Sequence, residues 1–160
     1  MNIKTTPWEV QLSDQYIAGF LDGDGSVVAL KVKTKQRRFD YRLKLRINFT
    51  QKKKDKFILE EIRNYFGKVG RVSDSKKYYI SEYVIANKPD VKKVLIRLRP
   101  YVVIKRRQIE LALKIISIFE SHGRGIKRVF LTEKEYAQVM LLGKKIRNLN
   151  SSTGGKKSDK

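Results

Sequence analysis

The spacing of hydrophobic positions changes period several times along the chain, and each change predicts an element. From Ser13 to Asp22, SDQYIAGFLD, the residues Ile17, Phe20 and Leu21 recur at helical spacing behind Ser13 or Asp14 as N-cap. Gly23 and Gly25 are expected to stop that helix. Between Ser26 and Gln51 the period becomes two, most strictly from Arg42 to Phe49, where basic or polar side chains alternate with apolar ones. Such alternation predicts a strand with one face on a core and the other positively charged. The run VVALKVKT before it predicts a partner strand, joined through Lys35 to Asp40.

Helical spacing returns from Lys54 to Phe66, with Phe57, Ile58, Ile62, Tyr65 and Phe66 on one side and Gly67 at the expected C-terminus. Val69 to Ser73 and Tyr78 to Ile85 predict a second strand pair around Asp74 to Lys77. Asn87 can cap a helix with Pro89 in its first turn, which Pro100 interrupts. A further helix is expected from Lys105 to Ser121, ended by Gly123 and Gly125. Thr132 and Glu135 form a T-x-x-E capping box opening a last helix to about Leu149. This order predicts an α+β domain over residues 1–150, one antiparallel sheet backed by helices, with 151–160 as a flexible basic tail. The two strand-strand-helix blocks share no residue-level similarity, so no repeat is read from them.

Charge narrows the function. Lys plus Arg number 37 against 16 Asp plus Glu in 160 residues, a formal net charge of +21 with pI near 10.2. With 41% hydrophobic residues, that charge sits on a packed domain and not on a disordered tail. Twelve of the 26 residues from Lys31 to Lys56 are Lys or Arg. A row of like charges on one strand face is unfavourable without a counter-anion, so a nucleic acid is the expected partner. A two-stranded ribbon fits the DNA major groove, where Arg and Lys read guanine and Asn reads adenine. Arg42, Lys44, Arg46 and Asn48 carry those chemistries on one face. In the first strand either Val28, Leu30, Val32 and Thr34 or Lys31, Lys33 and Lys35 share that face. No membrane partner is expected, since no apolar run approaches the ~20 residues of a spanning helix and no signal core opens the chain. The expected location is intracellular. Zero cysteines and one histidine leave only oxygen ligands for a metal.

Two acids stand out in this basic chain. Asp22 and Asp24 lie where the first helix ends, and an aspartate there, with a carbonyl such as that of Gly23, makes a hard oxygen site for Mg²⁺. Ordinary turn aspartates satisfying their own backbone would look the same in a neutral protein.

The stretch IAGFLDGDG, Ile17 to Gly25, closely resembles the LAGLIDADG motif that names a family of homing endonucleases. The resemblance continues through the ribbon, TQKK at Thr50 to Lys53, RPYVVIKRRQ at Arg99 to Gln108, and the following apolar helix. It implies a four-stranded saddle-shaped antiparallel sheet and a site-specific double-strand DNA endonuclease dependent on Mg²⁺. A single motif copy implies a homodimer paired through Ile17, Ala18, Gly19, Leu21 and Asp22, with an approximately palindromic target. Asp24 and the Gly23 carbonyl match the metal site, and Gln51 and Lys105 match residues that organise water and phosphate charge. Asp55 departs from the family, which tends to carry a basic residue there, so Lys54 or Lys56 is the candidate replacement.

By the same resemblance Val28, Leu30, Val32, Thr34 and Gln36 take the groove side. Arg37, Arg38, Arg42, Lys44, Arg46 and Asn48 continue it, and Ser73, Ser75, Lys77, Tyr79, Glu82 and Val84 extend it. Intron-encoded relatives occur in organellar, archaeal and bacterial genomes, so an organelle such as a chloroplast or mitochondrion is one expected compartment. The competing readings are a maturase or regulator that binds without cutting, a nuclease using Asp74 and Lys76 as a D-x-K pair, and a ribosome-associated protein.

Overall fold

Four strands, β1 (Gly25–Lys33), β2 (Tyr41–Lys52), β3 (Arg71–Asp74) and β4 (Ile80–Ile85), form one antiparallel sheet in the order β1-β2-β4-β3 in the computed structural model. The structure describes residues 10–35, 38–122 and 130–151. Helices α1 (Asp14–Asp24), α2 (Phe57–Tyr65), α3 (Lys88–Leu98), α4 (Arg106–Glu120) and α5 (Glu133–Ser151) accompany the sheet, giving the expected α+β fold. Strand alternation decides the core. Val27, Ala29, Leu45, Ile47, Phe49, Tyr83 and Ile85 share one parity and are buried together with apolar residues of all five helices. Phe49 stacks on Tyr83 at 5.8 Å, and the Tyr83 hydroxyl donates to the Val69 carbonyl at 2.8 Å. That burial raises the phenol's pKa well above its ordinary value.

Among the boundaries that differ from the sequence reading, three have a clear local cause. Helix α1 starts as expected, with the Ser13 hydroxyl accepting from the Tyr16 amide at 3.1 Å, but runs on through Gly23 and Asp24. Gly25 ends it, its amide bonding the Leu21 carbonyl while the chain turns directly into β1. A Cβ at Gly25 would lie 2.8 Å from Leu21 Cα and 3.0 Å from the Asn48 carbonyl oxygen, so only glycine permits so direct a turn. Helix α2 begins late because the Lys53 amide still pairs with the Tyr79 carbonyl at 3.2 Å, leaving a short 3₁₀ turn at Lys53–Asp55. Strand β3 begins late because Gly67, Lys68 and Gly70 all take left-handed backbone, and a side chain at Gly70 would collide with the Val84 carbonyl.

The capping box forms reciprocally. The Glu135 amide donates to Thr132 Oγ1 at 3.2 Å and the Thr132 amide to Glu135 Oε2 at 2.8 Å, while His122 Nε2 meets the same carboxylate oxygen at 2.9 Å. The ring of Tyr136 on α5 stacks on Phe39 at 3.9 Å. Further along α5, Arg147 and Asn150 donate to the Ala29 and Val27 carbonyls at 3.2 and 2.9 Å, covering part of the outer edge of β1. Gly123, Gly125 and residues 152–160 of the expected tail lie outside the described residues.

Candidate active site and nucleic-acid interface

Helix α1 is fixed at both ends. At its start Asp14 Oδ1 accepts from Arg97 Nε at 2.7 Å and from the Tyr65 hydroxyl at 3.0 Å, tying α1 to α2 and α3. At its end Asp22 accepts from the Val103 amide at 2.8 Å and the Lys105 amide at 3.0 Å, so its carboxylate fastens the α3–α4 connection. The Lys105 ammonium in turn donates to the Asp22 carbonyl at 2.6 Å. Of the two motif acids, only Asp24 is free of such duty. It is exposed, and Gln51 Nε2 stands 3.5 Å from its Oδ2, at the outer limit of a hydrogen bond. The structure thus gathers Asp24, Gln51 and Lys105 around one helix terminus, although 81 residues separate the first from the last.

The last-turn carbonyls of Leu21 and Asp22 are taken by the Gly25 amide and Lys105 Nζ, while among the described residues no side chain donates to that of Gly23. An exposed carboxylate beside a free helix-end carbonyl suits a hard divalent cation. Among the described residues no cluster of three or more His, Cys, Asp or Glu occurs. One copy therefore presents a single exposed carboxylate at this helix end. Asp74 is engaged elsewhere: Ser81 Oγ at 2.8 Å, Lys56 at 3.0 Å and Lys53 at 3.5 Å surround it, holding its carboxyl below the usual range. Of the two lysines flanking Asp55, Lys56 pairs with Asp74 at 3.0 Å whereas Lys54 is exposed.

The sheet face opposite the core is a basic surface. Register pairs Val28 with Arg46, Leu30 with Lys44 and Val32 with Arg42, so these apolar and basic side chains share that face. Lys31 and Lys33 have the opposite parity, and Lys31 Nζ lies 4.2 Å from the centre of the Tyr41 ring. Asn48 stands between Ser26 and Val84, and Glu82 between Thr50 and Ser73. Arg46 Nε and Asn48 Oδ1 are buried there without a hydrogen-bond partner. Ser26, Thr50, Lys52, Arg71 and Ile80 also lie on the face; the sequence reading omitted them, although parity predicts them.

Several of the remaining expected contact residues make local interactions. Thr34 Oγ1 donates to the Phe39 carbonyl across the β1–β2 loop, and Arg38 pairs with Glu133 at 3.1 Å. Ser75 Oγ accepts from the Lys77 and Tyr78 amides in the β3–β4 turn, Lys77 Nζ lies over the Tyr78 ring, and Tyr79 is exposed beneath Lys53. Gln36 and Arg37 lie outside the described residues.

A family model described as LAGLIDADG endonuclease matches residues 17–113, from the motif helix into α4. The chain belongs to the LAGLIDADG endonuclease family. It is 34% identical over 101 residues to the DNA endonuclease I-CreI of Chlamydomonas reinhardtii, covering 63% of this chain and 60% of that one. It is 29% identical over 114 residues to the DNA endonuclease I-CvuI of Chlorella vulgaris, covering 71% and 70%. The match thus spans less than two thirds of the Chlamydomonas protein's length. A crystal structure of I-CvuI in complex with the I-CreI target, in the presence of 2 mM Mg and with the DNA not cleaved, superposes with TM-score 0.71 at 26% identity, over 91% of this chain and 85% of that one. I-CvuI has also been crystallised with its own target in the presence of 2 mM Ca.

Within the LAGLIDADG helix, one expectation needs correcting. Ile17, Ala18 and Leu21 are fully buried in their own subunit's core, and Asp22 is bonded to its own chain, so these four do not form a free pairing face. The exposed face of the helix carries Tyr16, Gly19 and Gly23. Nothing lies within 4 Å of a Cβ built at either glycine, so another backbone could approach closely there. The error came from the helical period: residues 17, 18 and 21 form one stripe, and the sheet claims it first. Among the described residues no helix is long and apolar enough to cross a membrane.

Proposed function

We propose that this protein is a site-specific DNA endonuclease that acts as a homodimer, binds a long, approximately palindromic duplex through the basic sheet face, and hydrolyses both strands with divalent cations, Mg²⁺ in the cell. The observation carrying this reading is Asp24, an exposed carboxylate at a helix C-terminus that Gln51 and Lys105 also reach, at the inner end of a cationic sheet.

The division of labour follows from the contacts. Val28, Leu30 and Val32 offer apolar contact to thymine methyls, and Arg42, Lys44, Arg46 and Asn48 offer donors to base edges and phosphates. Asp24 and the Gly23 carbonyl would hold the cation, which when bound lowers the pKa of water and neutralises charge on the scissile phosphate. Gln51, with its Oε1 accepting the Lys52 amide at 2.9 Å, keeps its amide nitrogen turned towards Asp24, where it can orient a water. Lys105 brings a positive charge to the same helix end, placed by Asp22 through main chain and side chain.

A single exposed carboxylate at the helix end of each chain, together with the open Tyr16, Gly19 and Gly23 face, favours two copies meeting at their α1 helices. Tyr101, Val103 and Ile104 sit exposed on the connection that Asp22 fastens beside that face, apolar surface that a second copy would cover. The test is selection of cleaved sequences from a fully randomised, non-palindromic duplex pool in Mg²⁺. A recovered consensus with two-fold symmetry supports the reading; binding without any cleavage would favour the maturase or regulator instead.

A further inference from the structure

The open face of the sheet carries one acid. Strand parity assigns to that face Ser26, Val28, Leu30 and Val32 of β1, the even-numbered residues of β2, Ile80, Glu82 and Val84 of β4, and Arg71 and Ser73 of β3. Among these described residues Glu82 is the single carboxylate. It is half-buried, flanked across the sheet by the hydroxyl residues Thr50 and Ser73, and makes no hydrogen bond or ion pair with any described residue. A carboxylate on a surface that meets phosphates is repelled by them, so its presence without a cationic partner calls for a donor from the ligand.

Major-groove base edges supply few such donors. Guanine presents two acceptors and thymine an acceptor and a methyl group, both unfavourable to a carboxylate. Adenine pairs its amine with the acceptor N7, a combination that suits an amide better than an acid. Cytosine presents its N4 amine with no acceptor beside it. We infer that Glu82 is a specificity determinant that selects cytosine, accepting a hydrogen bond from its N4 amine at an inner position of each half-site. The inference rests on the endonuclease reading above.

The position follows from register. The Thr50–Glu82–Ser73 row adjoins Gln51, which reaches Asp24, whereas the rows of Arg46, Lys44 and Arg42 lie progressively farther along the ribbon.

The test is a binding profile: wild type, Glu82→Gln and Glu82→Ala are each used to select duplexes from a randomised pool in Ca²⁺, and base preferences are compared position by position. Wild type should prefer cytosine at one inner position per half-site by about tenfold. Glu82→Gln should move that preference to adenine, because an amide can pair with N6 and N7 together. Glu82→Ala should flatten it, with the other positions unchanged. Profiles of both variants that superimpose on the wild type, or an alanine variant that merely tightens binding to all sequences alike, would overturn the assignment. A wild-type protein that enriches no sequence would overturn the endonuclease reading itself, and this inference with it.

Discussion

Asp22 and Lys105 hold each other twice: the Asp22 carboxylate accepts the Lys105 amide at 3.0 Å, and the Lys105 ammonium returns to the Asp22 carbonyl at 2.6 Å. The first motif acid is therefore an anchor for the loop that carries the lysine, and the second is left for chemistry. Asp22→Ala leaves two amides short of a partner and should destabilise the fold by about 1 to 3 kcal/mol. Because Lys105 loses its placement, cleavage should fall by a further factor of about ten to a hundred in folded protein. Denaturant melts and single-turnover cleavage on the same samples separate the two effects.

Asp24→Asn should abolish cleavage while leaving affinity for the selected duplex close to wild type, since the exposed side chain contributes nothing to the core. Mobility shift in Ca²⁺ and cleavage in Mg²⁺ read the two properties. Equal loss of both would contradict the assigned role.

Asp74→Ala should retain cleavage, because that carboxylate is occupied by Ser81, Lys56 and Lys53 and not by the nuclease centre. A cleavage-dead but well-folded variant would revive the D-x-K alternative.

Gly19→Lys should fold at least as well as wild type. Open space surrounds that Cβ, and lysine exceeds glycine in helix propensity by about 0.5 to 1 kcal/mol. The same side chain on the open face of α1 should prevent pairing, and sedimentation of the variant should show a monomer that makes no double-strand breaks. A cleaving dimer would exclude this face as the contact.

Acid should loosen the N-terminus of α5. Backbone donation from Thr132, assisted by His122, holds the Glu135 carboxyl below its ordinary 4.5, so the folded state binds that proton less readily than the unfolded chain. The stabilisation is present above about 4.5 and is lost as pH falls through the lower folded value. Glu135→Gln removes this titration but can keep the Thr132 bond. Its stability should depend less steeply on pH between about 5 and 3 than that of wild type, as measured by urea denaturation.

The sequence by itself determined the elements and the chemistry at the end of the first helix. Periods of 3.6 and 2 are local properties, so five helices, four strands and the parity of Arg42 to Phe49 could be read without a partner in view. Asp24 was legible for the same reason, standing in a contiguous motif. The tertiary structure decided which competitor each side chain serves. Ile17, Ala18 and Leu21 went to the sheet and left Gly19 and Gly23 outward, Asp22 went to the Val103 and Lys105 amides, and Asp74 went to Ser81 and two lysines. Val28 and Leu30 joined the basic face through pairing with Arg46 and Lys44. Most of these partners lie more than ten positions away in sequence, because burial and hydrogen bonding are settled among neighbours in space, and a one-dimensional pattern records only neighbours in sequence.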